Sequence, residues 1–381
     1  MASNLKNVIV VGGSYVGVAT TQGLANILPA THRPRFAVLP KYEHKAFVPY
    51  SATFSSSPNA NQHAVVKARV SELHKNRVVL DREWQGSKEI PFDYLVVATG
   101  TRLQAPGTME HDDKLASVKY FQAYQERVQN ASSIAIVGGG AVGVQMATDL
   151  KELYPEKEIT LVHSRNQLMP VYHEGLDTII KERFAELGVK LVAGSRVIMP
   201  TDGFQNQEKP PTTIKLQNGT ELTADLVIPA VGQTPNNQFL SSLPPTSPDS
   251  LINPANGFIR VRPTLQFRDP HYPHLYAVGD IADSGAHKAA RPGVGQAQAV
   301  AKNVLAMVEG LLPDENVVVG PAAIHLTLGL TKNVIFKNPD KASGETEPKV
   351  VHKDDGKADM GIDGIWERRG ITVKSPDEYH L

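Results

Sequence analysis

The sequence of 381 residues contains no cysteine. That absence excludes a redox disulfide, a thiolate nucleophile, an iron–sulfur cluster and cysteine-ligated zinc. Also missing is any apolar run near the roughly 18 residues that a membrane-spanning helix needs. Charge of one sign is absent too, because 39 Lys and Arg balance 39 Asp and Glu, so no net field favours nucleic acid or an anionic membrane. The first strand is expected to begin near Lys6, which leaves no room for a signal or transit segment, and Met-Ala-Ser-Asn lacks the glycine of N-myristoylation. A cytoplasmic protein without a metal site is expected; His271, His274, His287 and His325 lack the spacing of metal ligands. The length suits two or three packed α/β units.

What the chain does have is glycine at strand-to-helix turns. Residues 7–24, "NVIVVGGSYVGVATTQGL", pass from an apolar strand to Gly12, for a tight turn, and Gly17, for close helix packing. Ser14 stands where the middle glycine of G-x-G-x-x-G lets backbone approach a pyrophosphate; its hydroxyl is small and can itself donate to phosphate. Alone, this substituted fingerprint does not separate a dinucleotide site from a plain glycine turn. A second copy, "SSIAIVGGGAVGVQMATDL" at 132–150, has Gly138, Gly140 and Gly143 in full spacing. Such a turn aims backbone N–H groups and the positive end of a helix at a pyrophosphate.

After each fingerprint a second strand is expected to end in an acid for the adenosine ribose. In the first unit "RFAVLP" puts Pro40 at that place, with Lys41 and Glu43 following; Glu43 or backbone is left to replace the acid. In the second, "EITLVHSR" puts His163 there and Arg165 two residues on. With no acid to repel a 2′-phosphate, NADPH should be tolerated. Three further stretches join the units: "FDYLVVATGT" ending in Thr99 and Gly100, "ADLVIPAVGQTPN" with Val231 and Gly232, and "HLYAVGDIAD" with Gly279 and Asp280, followed by a helix from Pro292.

As a set these motifs resemble the FAD-dependent pyridine-nucleotide oxidoreductases with two dinucleotide-binding domains, in particular their apoptosis-inducing-factor-like and ferroptosis-suppressor-like branch with its fungal members. The resemblance covers about residues 5–315. It implies an α/β fold of two Rossmann-like domains: an FAD domain at 1–115 and 252–315, an inserted NAD(P)H domain at 116–251, and a small C-terminal α/β domain at 316–381. By position it implies that Gly12, Gly13, Ser14, Tyr15 and Gly17 contact the FAD pyrophosphate, with Lys41 following and Val70 offering backbone to adenine. Thr99, Gly100 and Gly279 would lie by the flavin nucleotide, Asp280 would take the ribitol hydroxyls, and Val294 would stand at the helix end facing the flavin. Gly138, Gly139, Gly140, Ala141, Val142 and Gly143 would hold NADH or NADPH, with Gln145 replacing a common glutamate near the nicotinamide. Lys288, Tyr50 and Pro49 would lie against the flavin ring as the catalytic neighbourhood.

Without cysteine, the disulfide, mercuric and sulfenic-acid chemistries of this superfamily are excluded. The expectation is an NAD(P)H:acceptor oxidoreductase with a small quinone-like acceptor, monomeric or homodimeric. A redox-signalling flavoprotein, a metabolite-specific flavin oxidase and a member that has lost FAD are the alternatives. The tail from Gly320 reads as strand-like, residues 337–361 as a polar loop or disordered insertion, and the last twenty residues show no membrane-seating stripe.

Overall fold

The computed structural model describes residues 6–22, 35, 37–55, 57, 60–108, 111–204 and 211–380. Strand β1 (Val8–Val11) lies parallel to β5 (Tyr94–Val97), and β5 parallel to β15 (Leu275–Ala277), in the order β1-β5-β15. Leu95, Val96 and Val97 are buried, the continuous apolar run expected of a parallel strand covered on both faces. Between β5 and β15 in sequence the chain builds a second sheet, β12-β7-β8-β9, from β7 (Ser133–Val137), β8 (Glu158–Val162), β9 (Lys190–Val192) and β12 (Leu226–Pro229), all parallel. Each glycine turn leads from the first strand of its sheet into a helix: α1 (Tyr15–Gln22) after β1, α3 (Ala141–Leu153) after β7.

Smaller elements frame these sheets. An antiparallel meander joins β2 (Val70–Leu73), β3 (Arg77–Trp84) and β4 (Ser87–Pro91), and β10 (Thr212–Lys215) forms a hairpin with β11 (Glu221–Ala224). Strand β14 (Ile259–Arg260) runs parallel to β16 (Ala282–Asp283). The passage between the two sheets is a narrow ribbon in which β6 (Thr101–Arg102) pairs antiparallel with β13 (Thr234–Pro235). Helix α2 (Lys114–Asn130) starts where the Asp113 carboxylate accepts from the Ala116 N–H. Helix α4 (Glu174–Leu187) ends at Gly188, whose φ of 76° is the left-handed cap that glycine adopts freely. Helix α5 (Ala290–Val308) begins two residues ahead of the proline expected to open it.

Two expectations need correction. Of the proposed second strand "RFAVLP", Phe36 lies outside the described residues, while Ala37 and Val38 are helical, and the Leu39 N–H donates to the Arg35 carbonyl at 2.8 Å. The cause is tertiary: Ala37 and Val38 are fully buried in the largest apolar cluster, and Arg35 makes a buried bidentate pair with Asp149 of α3 at 2.6 and 2.7 Å. The polar stretch 337–361 is not a structureless insertion either. It carries strand β19 (Lys349–Lys353), which extends β17 (Ala323–Thr327) and β18 (Asn333–Lys337) into a three-stranded antiparallel sheet. As a short, lysine-bearing edge strand, β19 hides its pairing behind a polar sequence. The chain then closes with helix α6 (Asp363–Arg368), which buries Ile365 and Trp366.

Candidate dinucleotide sites

The two glycine turns have the same geometry. Gly12 and Gly138 have φ of +121° and +123°, and a Cβ on either would stand 2.4 Å from the carbonyl oxygen of Ala98 or Ala230. Five residues on, a Cβ on Gly17 or Gly143 would come within 1.8 or 1.9 Å of the Gly12 or Gly138 carbonyl. No side chain fits at these four positions, because the atoms met are backbone. The middle position differs: nothing lies within 4 Å of a Cβ on Gly140, so that glycine leaves open space, and Ser14 occupies the equivalent place in the first turn, exposed at the head of α1. Its carbonyl accepts from the Val18 N–H at 2.9 Å, so a serine there begins the helix without disturbing it.

Around the second turn the sequence-derived residues converge. Gly140, Ala141, Val142, Val231 and Gly232 line one cavity of about 220 Å³, together with Leu103, Gln104 and Met146. Gly140 opens the helix with its backbone extended, the cap arrangement that leaves free N–H groups facing the cavity. The Gly139 N–H donates to His163 Nδ1 at 3.0 Å, and burial holds this imidazole below its usual pKa. An accepting Nδ1 places the proton on Nε2, which is buried with no partner among the described residues. His163 thus buttresses the turn, while Arg165, on the same strand end, is exposed. Gln145 already has a partner: its amide donates to Thr327 Oγ1 at 2.8 Å and ties α3 to β17.

The first turn collects its residues from farther apart. Val16 of α1 packs where a Cβ on Gly279 or Gly293 would meet it at 3.0 or 2.5 Å, so those two glycines let α1 and the head of α5 approach, with Val294 following. Asp280 and Lys288 face each other: burial pushes the Asp280 carboxyl up while Lys288 opposes that shift, and burial lowers Lys288 against the pull of Asp280 and Asp283. The Lys288 ammonium donates to the Ala282 carbonyl and sits 4.1 Å from the centre of the Phe258 ring. Tyr50 donates to the Gly13 carbonyl and lies over that glycine, with Pro49 beside it in the chain. Thr99 Oγ1 donates to the Asn236 carbonyl at 2.7 Å and Asn236 Nδ2 returns a bond to the Thr99 carbonyl at 2.9 Å, clasping Gly100 to the loop after Gly232.

Other expected residues lie apart from these clusters or have partners of their own. Lys41 is exposed, with φ of 82°. Glu43 is buried and accepts from Gln122 and Gln125 of α2 at 3.0 and 3.3 Å, so it holds a helix rather than a ribose. Val70 pairs with Leu80 in the meander. Sequence reasoning missed a contact between the two halves: Tyr172 lies 2.6 Å from His287 Nε2, with burial raising the tyrosine and lowering the histidine. Neither residue carries a motif, so only the fold brings them together.

A family model described as pyridine nucleotide-disulphide oxidoreductase matches residues 29–303. The chain belongs to this family. Its cofactors are FAD and a nicotinamide dinucleotide, NADH or NADPH. The matched span begins beyond the first glycine turn, so the Gly12–Gly17 assignment rests on its sequence pattern and its geometry. Among relatives, Fe-regulated protein 8 of Mycosarcoma maydis is 33% identical over 405 residues, covering 97% of this chain and 96% of the relative. Ferroptosis suppressor protein 1 of Mus musculus is 30% identical, covering 73% of this chain and 74% of its own length. A sulfide:quinone oxidoreductase from Aquifex aeolicus shares the fold with a TM-score of 0.67 at 18% identity, covering 98% of this chain and 94% of that one. Among the described residues, no helix is long and apolar enough to cross a membrane.

Proposed function

We propose that this oxidoreductase passes a hydride from NAD(P)H, seated on Gly138–Gly143, to FAD, seated on Gly12–Gly17, and then delivers electrons to a small quinone-like acceptor. The observation that carries the reading is the repetition of one strained glycine turn in two parallel sheets, which provides two dinucleotide cradles in a single chain. The bound cofactors supply the hydride chemistry, and the protein's part is to bind, orient and set charge. Asp280 would accept hydrogen bonds from the flavin's ribitol chain, and Lys288 beside it would offer a cation to negative charge on the ring. The Thr99–Asn236 clasp and the Tyr172–His287 contact would fix the distance between the cradles, on which hydride transfer depends. With no cysteine anywhere in the chain, no dithiol can relay the electrons, which favours direct delivery from the flavin.

Anaerobic addition of NADH or NADPH to the purified protein tests this directly. Bleaching of a visible flavin band, followed by rapid recovery with a short-chain quinone, is expected. Lys288→Met should slow the recovery while sparing flavin content. A bleached flavin that quinone fails to reoxidise would refute the acceptor assignment, and a colourless protein that takes up no FAD would refute the first cradle.

A further inference from the structure

Arg369 follows helix α6 in the C-terminal segment, far in sequence from either glycine turn. Its side chain is 8% exposed, and its guanidinium carbon lies 5.8 Å from the centre of the Tyr15 ring and 5.9 Å from that of Tyr50. Tyr15 is the first residue of α1, and Tyr50 is hydrogen-bonded to the Gly13 carbonyl, so the two rings flank the first glycine turn. Among the described residues the guanidinium forms no ion pair or side-chain hydrogen bond and lies over the faces of these two rings.

This placement is fixed by contacts rather than by chance. Trp366, 1% exposed, donates its indole N–H to the Lys45 carbonyl at 3.0 Å, and Lys45 pairs with Asp363 at 2.7 Å. Gly370, with φ of +75°, turns the chain so closely over Ala52 that a Cβ would meet the alanine methyl at 3.3 Å. Helix α6 is therefore clamped onto residues 45–52, and Arg369 follows it directly beside the turn. A permanently charged guanidinium that is largely covered and lacks a counter-ion among the described residues is a ready partner for an anion.

We infer that Arg369 is a pyrophosphate ligand of FAD, supplied to the first cradle by the C-terminal segment. The inference rests on FAD occupying that cradle, where the N–H groups at the head of α1 face the same anion. A planar fork that presents several N–H donors suits a pyrophosphate, and the tyrosine rings hold it in plane. The last domain then takes part in cofactor retention, and Ser14 loses its importance as a missing glycine, because a cation adds to the affinity that backbone alone would provide.

The test is FAD affinity of the deflavinated full chain, read by quenching of flavin fluorescence, alongside the melting temperature of the apoprotein. Arg369→Gln and Arg369→Met should each raise the FAD dissociation constant roughly tenfold to a hundredfold, the worth of one or two charge-assisted hydrogen bonds. Their binding should depend less on salt than the wild type's. Apoprotein carrying Arg369→Met should melt close to the wild-type temperature, because the guanidinium has no ionic partner among the described residues, and Arg369→Lys should recover only part of the affinity, the share due to charge without the planar fork. FAD binding by Arg369→Met within twofold of wild type would overturn the inference. So would equal losses of apoprotein stability in the Met and Lys variants, since that pattern belongs to packing. Failure of the wild type itself to bind FAD would instead refute the first cradle, independently of Arg369.

Discussion

Two glycines of one motif should fail in opposite ways. A Cβ on Gly143 would stand 1.9 Å from the Gly138 carbonyl oxygen, a backbone atom with no freedom to rotate away. Reaching ordinary contact requires the head of α3 to retreat by about 1.5 Å from the turn. Overpacking of that size in a rigid element costs about 3 kcal/mol or more, even though alanine is the better helix former. Gly143→Ala is therefore expected to lower the melting temperature by roughly 6–12 °C. Gly140 has φ −86° and ψ −178°, which alanine adopts, and its Cβ would meet nothing within 4 Å. Gly140→Ala should leave stability within about 1 kcal/mol of wild type. The added methyl would instead intrude on the cavity lined by Gly140 and Val231, displacing the pyrophosphate from backbone N–H groups. Losing one charge-assisted hydrogen bond, about 1.5–3 kcal/mol, corresponds to a rise of roughly 10- to 150-fold in the NADH concentration for half-maximal flavin reduction. Stopped-flow reduction at 450 nm and thermal melting separate the two effects. Wild-type nucleotide affinity in Gly140→Ala, or wild-type melting in Gly143→Ala, would refute the division of labour drawn from the turn.

Three further outcomes are expected. Asp280→Ala should purify with little flavin, and an intact flavin spectrum would remove Asp280 from the ribitol site. Arg165→Ala should raise KM for NADPH at least several-fold more than for NADH; equal changes would leave this exposed arginine outside the 2′-phosphate site. Burial alone would raise the Asp269 carboxyl, but bonds from Ser250, from the Thr246 hydroxyl and N–H, and from the His271 N–H hold it at about 2. Because this folded-state pKa is depressed, its stabilisation of about 2 kcal/mol is present above pH 4 and lost as pH falls from about 4 to 2. Asp269→Asn should be less stable at neutral pH, with the gap to wild type closing toward pH 2 in denaturant titrations; a constant gap would refute the assignment.

The sequence made visible whatever is enforced locally. Gly12, Gly17, Gly138 and Gly143 are dictated by backbone contacts within a few residues of the turn, so their spacing is conspicuous in the chain itself. The same is true of the parallel strands, whose runs such as Leu95–Val97 must be apolar on both faces. What stayed hidden depends on partners distant in sequence. Nothing near Gln145 announces its bond to Thr327, and nothing near Glu43 announces Gln122 and Gln125. Strand β19 was concealed by its own exposure, since an edge strand with one thin apolar face, Val350 against Phe336, has the composition of a loop.

The helical course of Ala37 and Val38 shows how one distant pair can override a local pattern. Arg35 and Asp149 are 3% and 1% exposed, and the guanidinium also reaches the Gly329 carbonyl at 3.0 Å, joining the segment that leads to Pro49 and Tyr50 to α3 and to the C-terminal sheet. Burial pushes the Asp149 carboxyl up and Arg35 opposes that shift, so desolvation offsets much of the attraction and the pair acts chiefly on position. Removing one partner leaves the other charge buried, which costs about 3–5 kcal/mol, whereas replacing both with apolar side chains of similar volume is close to neutral. Asp149→Leu and Arg35→Met should each be strongly destabilised, and the double variant should regain most of the loss. If the pair also sets the course of residues 35–39, the double variant will keep its melting temperature but lose order in the segment from Ala37 to Tyr50, readable as faster amide exchange there. A double variant as unstable as the worse single would show that the pair contributes stability in its own right, and unchanged exchange would show that the buried Ala37 and Val38 suffice to hold the helix.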